Sequence, residues 1–336
     1  MLNPKLKLNP KIFNEDCEQV PIRKGFGLGL LKAGEENKNV VALCADLTES
    51  TQMNLFAEKF PKRFIEMGVA EQNLVTVSSG MAAMGKIPFC SSYAMFSPGR
   101  NWEQIRTTIA YNDRKVVIVG SHAGISVGPD GGTHQALEDI ALMRVMPNMD
   151  VISPCDAIEA KKATEALVKS GKPAYLRLAR EKTPIITTDE TPYEIGKGEI
   201  YWIPDVGIAQ VGIIVTGSLT HRAILAAKKL EGEGIKTKVM NLSSISPIDR
   251  EAIITLAKET RAIVTVEEHQ INGGMGSAVT EVLAQNYPVP IEFIGVKNLF
   301  GQSGSPDELI EHYEMGVEHI KKAVEQVFKR KNPSNL

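Results

Sequence analysis

Short continuous apolar segments alternate with amphipathic ones along almost the whole chain. In the first half the apolar segments are "NVVALCAD", "IPFCSSYAMF", "RKVVIVGS", "MDVISPCD" and "PAYLRLAR". Strands buried on both faces of a parallel sheet read this way, and a 3.6-residue apolar period between them indicates helices. The pattern therefore predicts an α/β fold built on a parallel sheet.

Helix end signals support this prediction. The segment "AIEAKKATEALVKSG" follows Asp156, a good N-cap residue, and ends on Gly171, a typical helix stop. Near the end of the chain, "SPDE" opens what we predict to be the last helix. There Ser305 is the cap, Pro306 suits the first helical position and Glu308 completes a capping box.

The alternation restarts after a polar segment rich in Thr and Pro, "EKTPIITTDETPYEIGKGE". Strands are predicted at "VGIIVTGSL", "KTKVMNLSSI", "RAIVTVEEH" and "PIEFIGVKN", and helices at "HRAILAAKKLEGEG", "DREAIITLAKET" and "GSAVTEVLAQN". We predict two α/β domains, residues 15–185 and a smaller one at 207–332, joined by a linker at 186–206. The length of 336 residues also favours two domains, because single cores stop growing at about 250–300 residues.

Composition narrows the possible functions. With 38 basic and 40 acidic residues, the near-neutral balance argues against binding to nucleic acid or to a membrane surface. The four cysteines lie far apart without a CxxC pair, which predicts reduced core thiols rather than a metal site or disulfides. Since no segment reads as a signal peptide or a membrane span, we expect a soluble cytoplasmic protein.

The segment "GISVGPDGGTHQ" is the first candidate for chemistry. It follows a predicted buried strand, so it should lie at the carboxyl end of the sheet, where α/β proteins bind ligands. Its glycines would let the backbone approach a ligand closely and present Asp130 and His134. His122 stands at the start of the same loop, which favours a binding site over a plain turn.

Three further candidates each have a structural alternative. Glu71 precedes a helix pattern, where it could share a proton with a ligand nitrogen. A carboxylate there is also stabilised by the positive end of the helix dipole. Tyr93 and Phe96 follow a predicted strand, where aromatic residues are often core. Arg23 belongs to a set of candidate arginines, and Arg180, directly after a predicted strand, could bind a phosphate bidentately or be a solvated strand end.

Together, and in this order, these motifs resemble the transketolases, thiamine-diphosphate enzymes that move two-carbon ketol units between sugar phosphates. The resemblance covers nearly the whole chain and is carried by "ADLTES", "GVAEQN", "PFCSSYAMF", "SHAGISVGPDGGTHQ", "YLRLAR", "EEHQINGGMGSAV" and "FGQSGSPDELIEHY". It implies a pyrimidine-binding domain followed by a transketolase C-terminal domain.

The family's first domain, which binds the cofactor diphosphate and its Mg²⁺ or Ca²⁺, has no counterpart, because this sequence lacks the "GDG" motif. The resemblance therefore implies one subunit of a split transketolase, with no metal ligands of its own. A partner chain would supply the diphosphate site. Two chains of each kind would form an α2β2 assembly in which this chain also pairs with itself.

The resemblance also implies residue roles in cofactor binding. Glu71 would bond the pyrimidine N1′ and activate the cofactor, and Phe96 would stack on the aminopyrimidine ring with Tyr93 beside it. Asp46, in the "ADLT" match, would lie near the cofactor across the subunit interface.

On the substrate side, His134 and His122 would face the sugar, with His134 helping proton transfer, and Asp130 would bond a sugar hydroxyl. The substrate phosphate would be held by Arg23, Ser50 and Arg180.

Three alternatives stay open at this stage. "GVAEQN" departs from the "GVREH" of many transketolases and is closer to deoxyxylulose-phosphate synthases. A 2-oxo-acid dehydrogenase beta subunit shares the domain pair but has no need of a phosphate site. A non-catalytic scaffold of the same fold would need none of the candidate residues.

Overall fold

The computed structural model describes residues 1–331, which form two mainly parallel sheets with helices packed on them and one small two-stranded antiparallel sheet. The strands are β1 Gln19–Pro21, β2 Val40–Cys44, β3 Phe64–Glu66, β4 Ile87–Tyr93, β5 Val117–Ser121, β6 Asp150–Ile152, β7 Ala174–Arg177, β8 Lys182–Pro184, β9 Glu199–Trp202, β10 Val211–Val215, β11 Thr237–Asn241, β12 Ser244–Ser246, β13 Ile263–Gln270 and β14 Ile291–Val296. The helices are α1 Ile22–Glu36, α2 Asn54–Lys59, α3 Glu71–Ala83, α4 Trp102–Gln104, α5 Asp139–Arg144, α6 Ala157–Ser170, α7 Thr220–Gly232, α8 Arg250–Thr260, α9 Met275–Asn286, α10 Pro306–His312 and α11 Val317–Lys331. A π-helical segment, Ile105–Ala110, continues α4.

The first sheet has seven strands in the order β12-β6-β7-β5-β4-β2-β3, all parallel except β12, which is antiparallel to β6. The second has five in the order β14-β13-β10-β11-β9, parallel except β9. The α/β class with two parallel-sheet domains is thus confirmed.

Each of the nine predicted apolar segments contains a strand, and these strands supply most of the buried interior of the two sheets. The structure adds short strands that were not predicted, including β9 within the predicted linker and β12 at the edge of the first sheet. The exact domain limits stay a prediction, and position 332 lies outside the described residues.

Local capping follows the sequence at two helices. Asp156 Oδ1 accepts from the backbone N–H of Glu159 at 2.8 Å, and Gly171 ends α6 at φ +76°. At α10 the N–H of Ser305 donates to Glu308 Oε2 at 3.4 Å. The prediction that this is the last helix was wrong, because α10 ends at His312 and α11 follows as a separate amphipathic helix.

The two halves of the chain share their cores. Leu6, Leu8 and Ile12, from the first residues, pack in one apolar cluster with Tyr201 and Trp202 of the second half. Strand β12, from the second half, extends the first sheet. Within residues 1–331 no helix is long and apolar enough to cross a membrane.

Candidate functional site

The predicted site residues follow the carboxyl ends of neighbouring strands in the first sheet. Tyr93 ends β4, His122 comes directly after β5, and Arg180 lies three residues after β7. These three strands are adjacent and parallel, so their loops meet at one edge. This is where open α/β sheets bind ligands.

Four of the predicted side chains form one cluster of rings. Tyr93 stacks on His122 with centroids 3.9 Å apart, and Tyr93 and Phe96 lie 6.2 Å apart and nearly parallel. Phe96 meets His134 edge-on at 5.3 Å. The structure therefore brings side chains from the end of β4 together with side chains from the loop after β5.

His122 is buried against this cluster, with 3% of its surface exposed. Its Nδ1 lies 2.9 Å from Ser121 Oγ. Burial lowers the pKa of His122 to about 3, and the charges of Arg23, Arg180 and His134 add to the effect. His122 is therefore neutral near pH 7 and acts as a hydrogen-bonding group rather than a cation.

The two arginines predicted to bind phosphate lie side by side. Arg23 Nη1 donates to the main-chain carbonyl of Arg180, and Arg180 Nη1 donates to the Val127 carbonyl at 2.5 Å and lies 4.0 Å from Asp130 Oδ1. The buried Nε of Arg23 has no hydrogen-bond partner within the described chain. Burial and the neighbouring Arg180 charge lower the pKa of Arg23. Arg180 Nε also lies 3.7 Å from Glu181 Oε1. Arg23 and Arg180 are thus in contact through the Arg180 main chain, and guanidinium groups of this kind can bind an anion.

Close packing of helices brings Arg23 to this position. A Cβ on Gly25 would lie 1.8 Å from the Ala157 carbonyl oxygen, so α1 can approach α6 this closely because Gly25 has no side chain. Arg23, two residues earlier on α1, is thereby held against the end of β7.

Glu71 is the first residue of α3 and is 5% exposed. Arg100 Nη1 donates to both of its carboxylate oxygens, at 3.1 and 3.3 Å. The Asn101 side chain holds the Glu71 main-chain carbonyl at 2.9 Å. A cavity of about 510 Å³ opens beside the carboxylate. Arg100 was not predicted, because its relation to Glu71 spans two loops.

Asp46 and the segment before Glu71 are joined by a residue that sequence reasoning missed. Glu66, the last residue of β3, accepts from the N–H of Asp46 at 2.7 Å and of Gly68 at 2.9 Å, and from the Thr48 hydroxyl at 3.0 Å. Its carboxylate fixes the loop after β2, where Asp46 has φ +59°. Strand β3 has only three residues and was not predicted, so no local signal marked Glu66.

Ser50 was predicted to bind the substrate phosphate together with Arg23 and Arg180. It lies in the turn between β2 and α2 and is half-buried. No hydrogen bond within residues 1–331 joins it to Arg23 or Arg180. Its role in phosphate binding stays a prediction.

Residues 124–135, the glycine-rich loop, are held in place by hydrogen bonds to the second half of the chain. Glu268 Oε1, on β13, accepts from the Ser126 N–H at 2.6 Å, and Gln135 Nε2 donates to the Ile125 and Gln302 carbonyls, both at 3.0 Å. Gly124 has φ +91°, and a Cβ there would lie 2.4 Å from Glu268 Oε1. Glycine is required at this point because the loop passes directly over a buried carboxylate.

The residues present fit one half of a thiamine-diphosphate site. The buried Glu71 carboxylate lines a cavity, and the half-buried Phe96 ring lies against Arg100, which lines the same cavity. An aminopyrimidine requires a carboxylate and an aromatic face of this kind. Among residues 1–331 no group of three or more His, Cys, Asp or Glu side chains could hold a metal ion.

Comparison with known proteins decides the family. The family model described as "Transketolase, pyrimidine binding domain" matches residues 18–185, and the one described as "Transketolase, C-terminal domain" matches residues 203–320. The chain belongs to the transketolase family. Members of this family use thiamine diphosphate.

Several relatives of this transketolase-family chain are of the same size. A Methanocaldococcus jannaschii protein with the provisional name of transketolase C-terminal section is 42% identical over 92% of this chain and 96% of its own length. A 6-deoxy-6-sulfo-D-fructose transketolase subunit of a Clostridium species is 37% identical over 90% and 93% of the two chains. One of the subunits of the apulose-4-phosphate transketolase of Phocaeicola vulgatus is 35% identical over 93% and 98%.

A solved structure agrees with this family assignment. It is described as a split gene transketolase in an inactive beta4 tetramer, is 40% identical, and superposes with a TM-score of 0.86. The match covers 93% of this chain and 100% of that one. The chain thus corresponds in extent to a subunit of a split transketolase.

Proposed function

We propose that this chain is the C-terminal subunit of a split transketolase and that it transfers a two-carbon ketol unit from a ketose phosphate to an aldose phosphate. The observation that carries the proposal is the convergence of Glu71, the ring cluster and the arginine pair at one edge of the first sheet. A non-catalytic scaffold gives no reason for this convergence.

When bound, thiamine diphosphate would supply a nucleophilic carbon and an electron sink for the transferred unit. The chain's own part is to bind and orient. Glu71, withdrawn from water at the start of α3, bonds the pyrimidine N1′ and holds the proton there. Phe96 supports the pyrimidine face, with Tyr93 behind it, and Asp46 approaches from the loop fixed by Glu66.

On the substrate side, His134 bonds the ketol oxygens and moves a proton, and neutral His122 donates or accepts a hydrogen bond without adding charge. Asp130 bonds a sugar hydroxyl. Arg23, Arg180 and Ser50 bind the terminal anion. Relatives named for a sugar phosphate and for a sulfonated sugar support an anionic sugar as substrate.

The partner in this proposal is an N-terminal subunit that holds the cofactor diphosphate and its Mg²⁺ or Ca²⁺. An α2β2 assembly, in which this chain also contacts a second copy, completes two sites. A cytoplasmic location fits the four free cysteines. Pentose phosphate metabolism is the setting in which such a transfer is used.

Calorimetry tests the proposal. Thiamine diphosphate with Mg²⁺ is titrated into this chain alone and into its mixture with a candidate diphosphate-binding chain. We expect tight binding only when the two chains are mixed, and we expect the mixture to transfer a ketol unit from xylulose 5-phosphate to ribose 5-phosphate. Binding without transfer would favour a deoxyxylulose-phosphate synthase or a 2-oxo-acid dehydrogenase subunit, and absence of binding would favour a scaffold.

A further inference from the structure

The side chain of Arg100 contacts both residues that are expected to hold the aminopyrimidine ring. Its Nη1 donates to the two Glu71 oxygens at 3.1 and 3.3 Å, and its guanidinium carbon lies 4.3 Å from the centroid of the Phe96 ring. A guanidinium is planar, donates hydrogen bonds in its plane and stacks on aromatic faces. It therefore satisfies the same carboxylate and the same ring that an aminopyrimidine would.

We propose that Arg100 occupies the aminopyrimidine position of the cofactor-free subunit and must leave Glu71 before thiamine diphosphate binds. This inference rests on the proposed function, because it takes Glu71 and Phe96 as the pyrimidine contacts. It adds a residue that opposes cofactor binding and so sets the apparent affinity.

Burial makes the exchange asymmetric. Only 6% of the Glu71 side chain is exposed, whereas 53% of the Arg100 side chain is. A buried carboxylate without a hydrogen-bond partner is costly, so Glu71 needs a donor when no ligand is present. The half-exposed Arg100 guanidinium can move into water at little cost once a ligand bonds Glu71.

The backbone of Arg100 is anchored, so the exchange needs only side-chain rotation. Its N–H donates to the Phe96 carbonyl at 2.9 Å, and its own carbonyl accepts from the Gln72 side chain at 3.5 Å. Arg100 lines the cavity beside Glu71. Rotation into solvent would therefore expose Glu71 without moving α3.

The test compares Arg100→Met with Arg106→Met in the complex with the diphosphate-binding chain. Methionine keeps aliphatic cover over Phe96 but removes the charge. Arg106 is a suitable control because its side chain makes no hydrogen bond or ion pair within residues 1–331. The measurements are the thiamine-diphosphate Kd by calorimetry with Mg²⁺ and the association rate by the change in tryptophan fluorescence.

Arg100→Met is expected to lower the Kd by roughly threefold to tenfold, the worth of a half-exposed ion pair with a cation–π contact. Association should also be faster, and Arg106→Met should leave both unchanged. Unchanged or weaker binding by Arg100→Met would overturn this inference alone, and absence of binding by the unaltered complex would overturn the proposed function with it. If Arg100→Met does not fold, Arg100→Gln, which keeps a donor but no charge, must show the same tightening.

Discussion

Glu71 is the residue on which the proposed chemistry depends most directly. Its carboxylate is buried at the start of α3, while its main-chain carbonyl is held separately by Asn101. Side-chain chemistry and helix position are therefore separable. A variant can remove the acid without removing the contact that anchors the loop.

We predict that Glu71→Gln lowers ketol transfer by about 100-fold or more, the scale of a lost proton-transfer group, and leaves assembly intact. Glu103→Gln, an exposed carboxylate on α4, is the control. Steady-state kinetics and light scattering on the two-chain complex measure both effects. If the complex dissociates, Glu71 is mainly structural.

Arg180 is predicted to recognise the charge of the substrate. Arg180→Ala should raise KM for phosphorylated sugars by roughly 10- to 100-fold, the worth of a charged hydrogen bond, and change KM for unphosphorylated sugars much less. Lys182→Ala is the control, since Lys182 is exposed two residues later. Equal effects on both substrate classes would mean that Arg180 acts by holding the Val127 carbonyl and the loop.

The low pKa of His122 gives a pH prediction. Its folded-state pKa is about 3, below the value of about 6.5 for an unfolded chain. The unfolded state therefore takes up the proton first, and stability falls as the pH drops below about 6.5. His122→Asn should flatten this fall, as measured by urea unfolding between about pH 4 and about pH 7. An identical slope would show that His122 protonates in the folded protein.

At the scale of single elements, α6 depends on a cap that also holds the next segment. Asp156 accepts from the N–H of Glu159 at 2.8 Å, of Ile186 at 2.8 Å and of Thr187 at 2.6 Å, and from the Thr187 hydroxyl. The cap was predicted from sequence. Its second function, anchoring the first residues of the predicted linker, depends on partners about thirty positions away.

We predict that Asp156→Ala destabilises the chain by about 3–5 kcal/mol, because it removes a cap and leaves two buried N–H groups without an acceptor. Asp156→Asn retains one acceptor oxygen and should cost about half as much. Urea unfolding of the two variants checks the order. A loss below about 1 kcal/mol for alanine would mean that water replaces the carboxylate.

Strands and helices were predictable to different degrees for a physical reason. A strand such as β5 is buried on both faces and so reads as one apolar run. Strands β9 and β12 lie at sheet edges and have only three or four residues, so their sequences carry no such run. The break between α10 and α11 was missed because both helices are amphipathic and closely spaced.

The candidate site shows the same limit. His122, Asp130 and His134 share one loop, so local sequence could relate them. Arg100 and Glu66 act on groups 29 and 20 positions away, respectively, and nothing local marks either contact. Long-range pairs of this kind follow from strand order, which apolar patterns do not specify.

For the whole molecule, the decisive feature is that the second half supports the site in the first. Arg177, 5% exposed at the end of β7, donates to the carboxylate of Asp139 at 2.8 Å and to the Glu268 carbonyl at 2.8 Å. Burial alone would raise the pKa of Asp139, but the Arg177 charge holds it below its usual value. The ion pair thus joins β7, α5 and β13 beneath the glycine-rich loop.

We predict that Arg177→Met destabilises the chain by about 3–5 kcal/mol, because Asp139 is then buried without its cation. Asp139→Leu alone should cost a similar amount. The double variant should recover much of the loss, because burying two apolar groups removes the unpaired charge. Urea unfolding of the four proteins gives the coupling energy. If the two losses simply add, the pair does not stabilise the domain contact, and the loop must be held chiefly by Glu268 and Gln135.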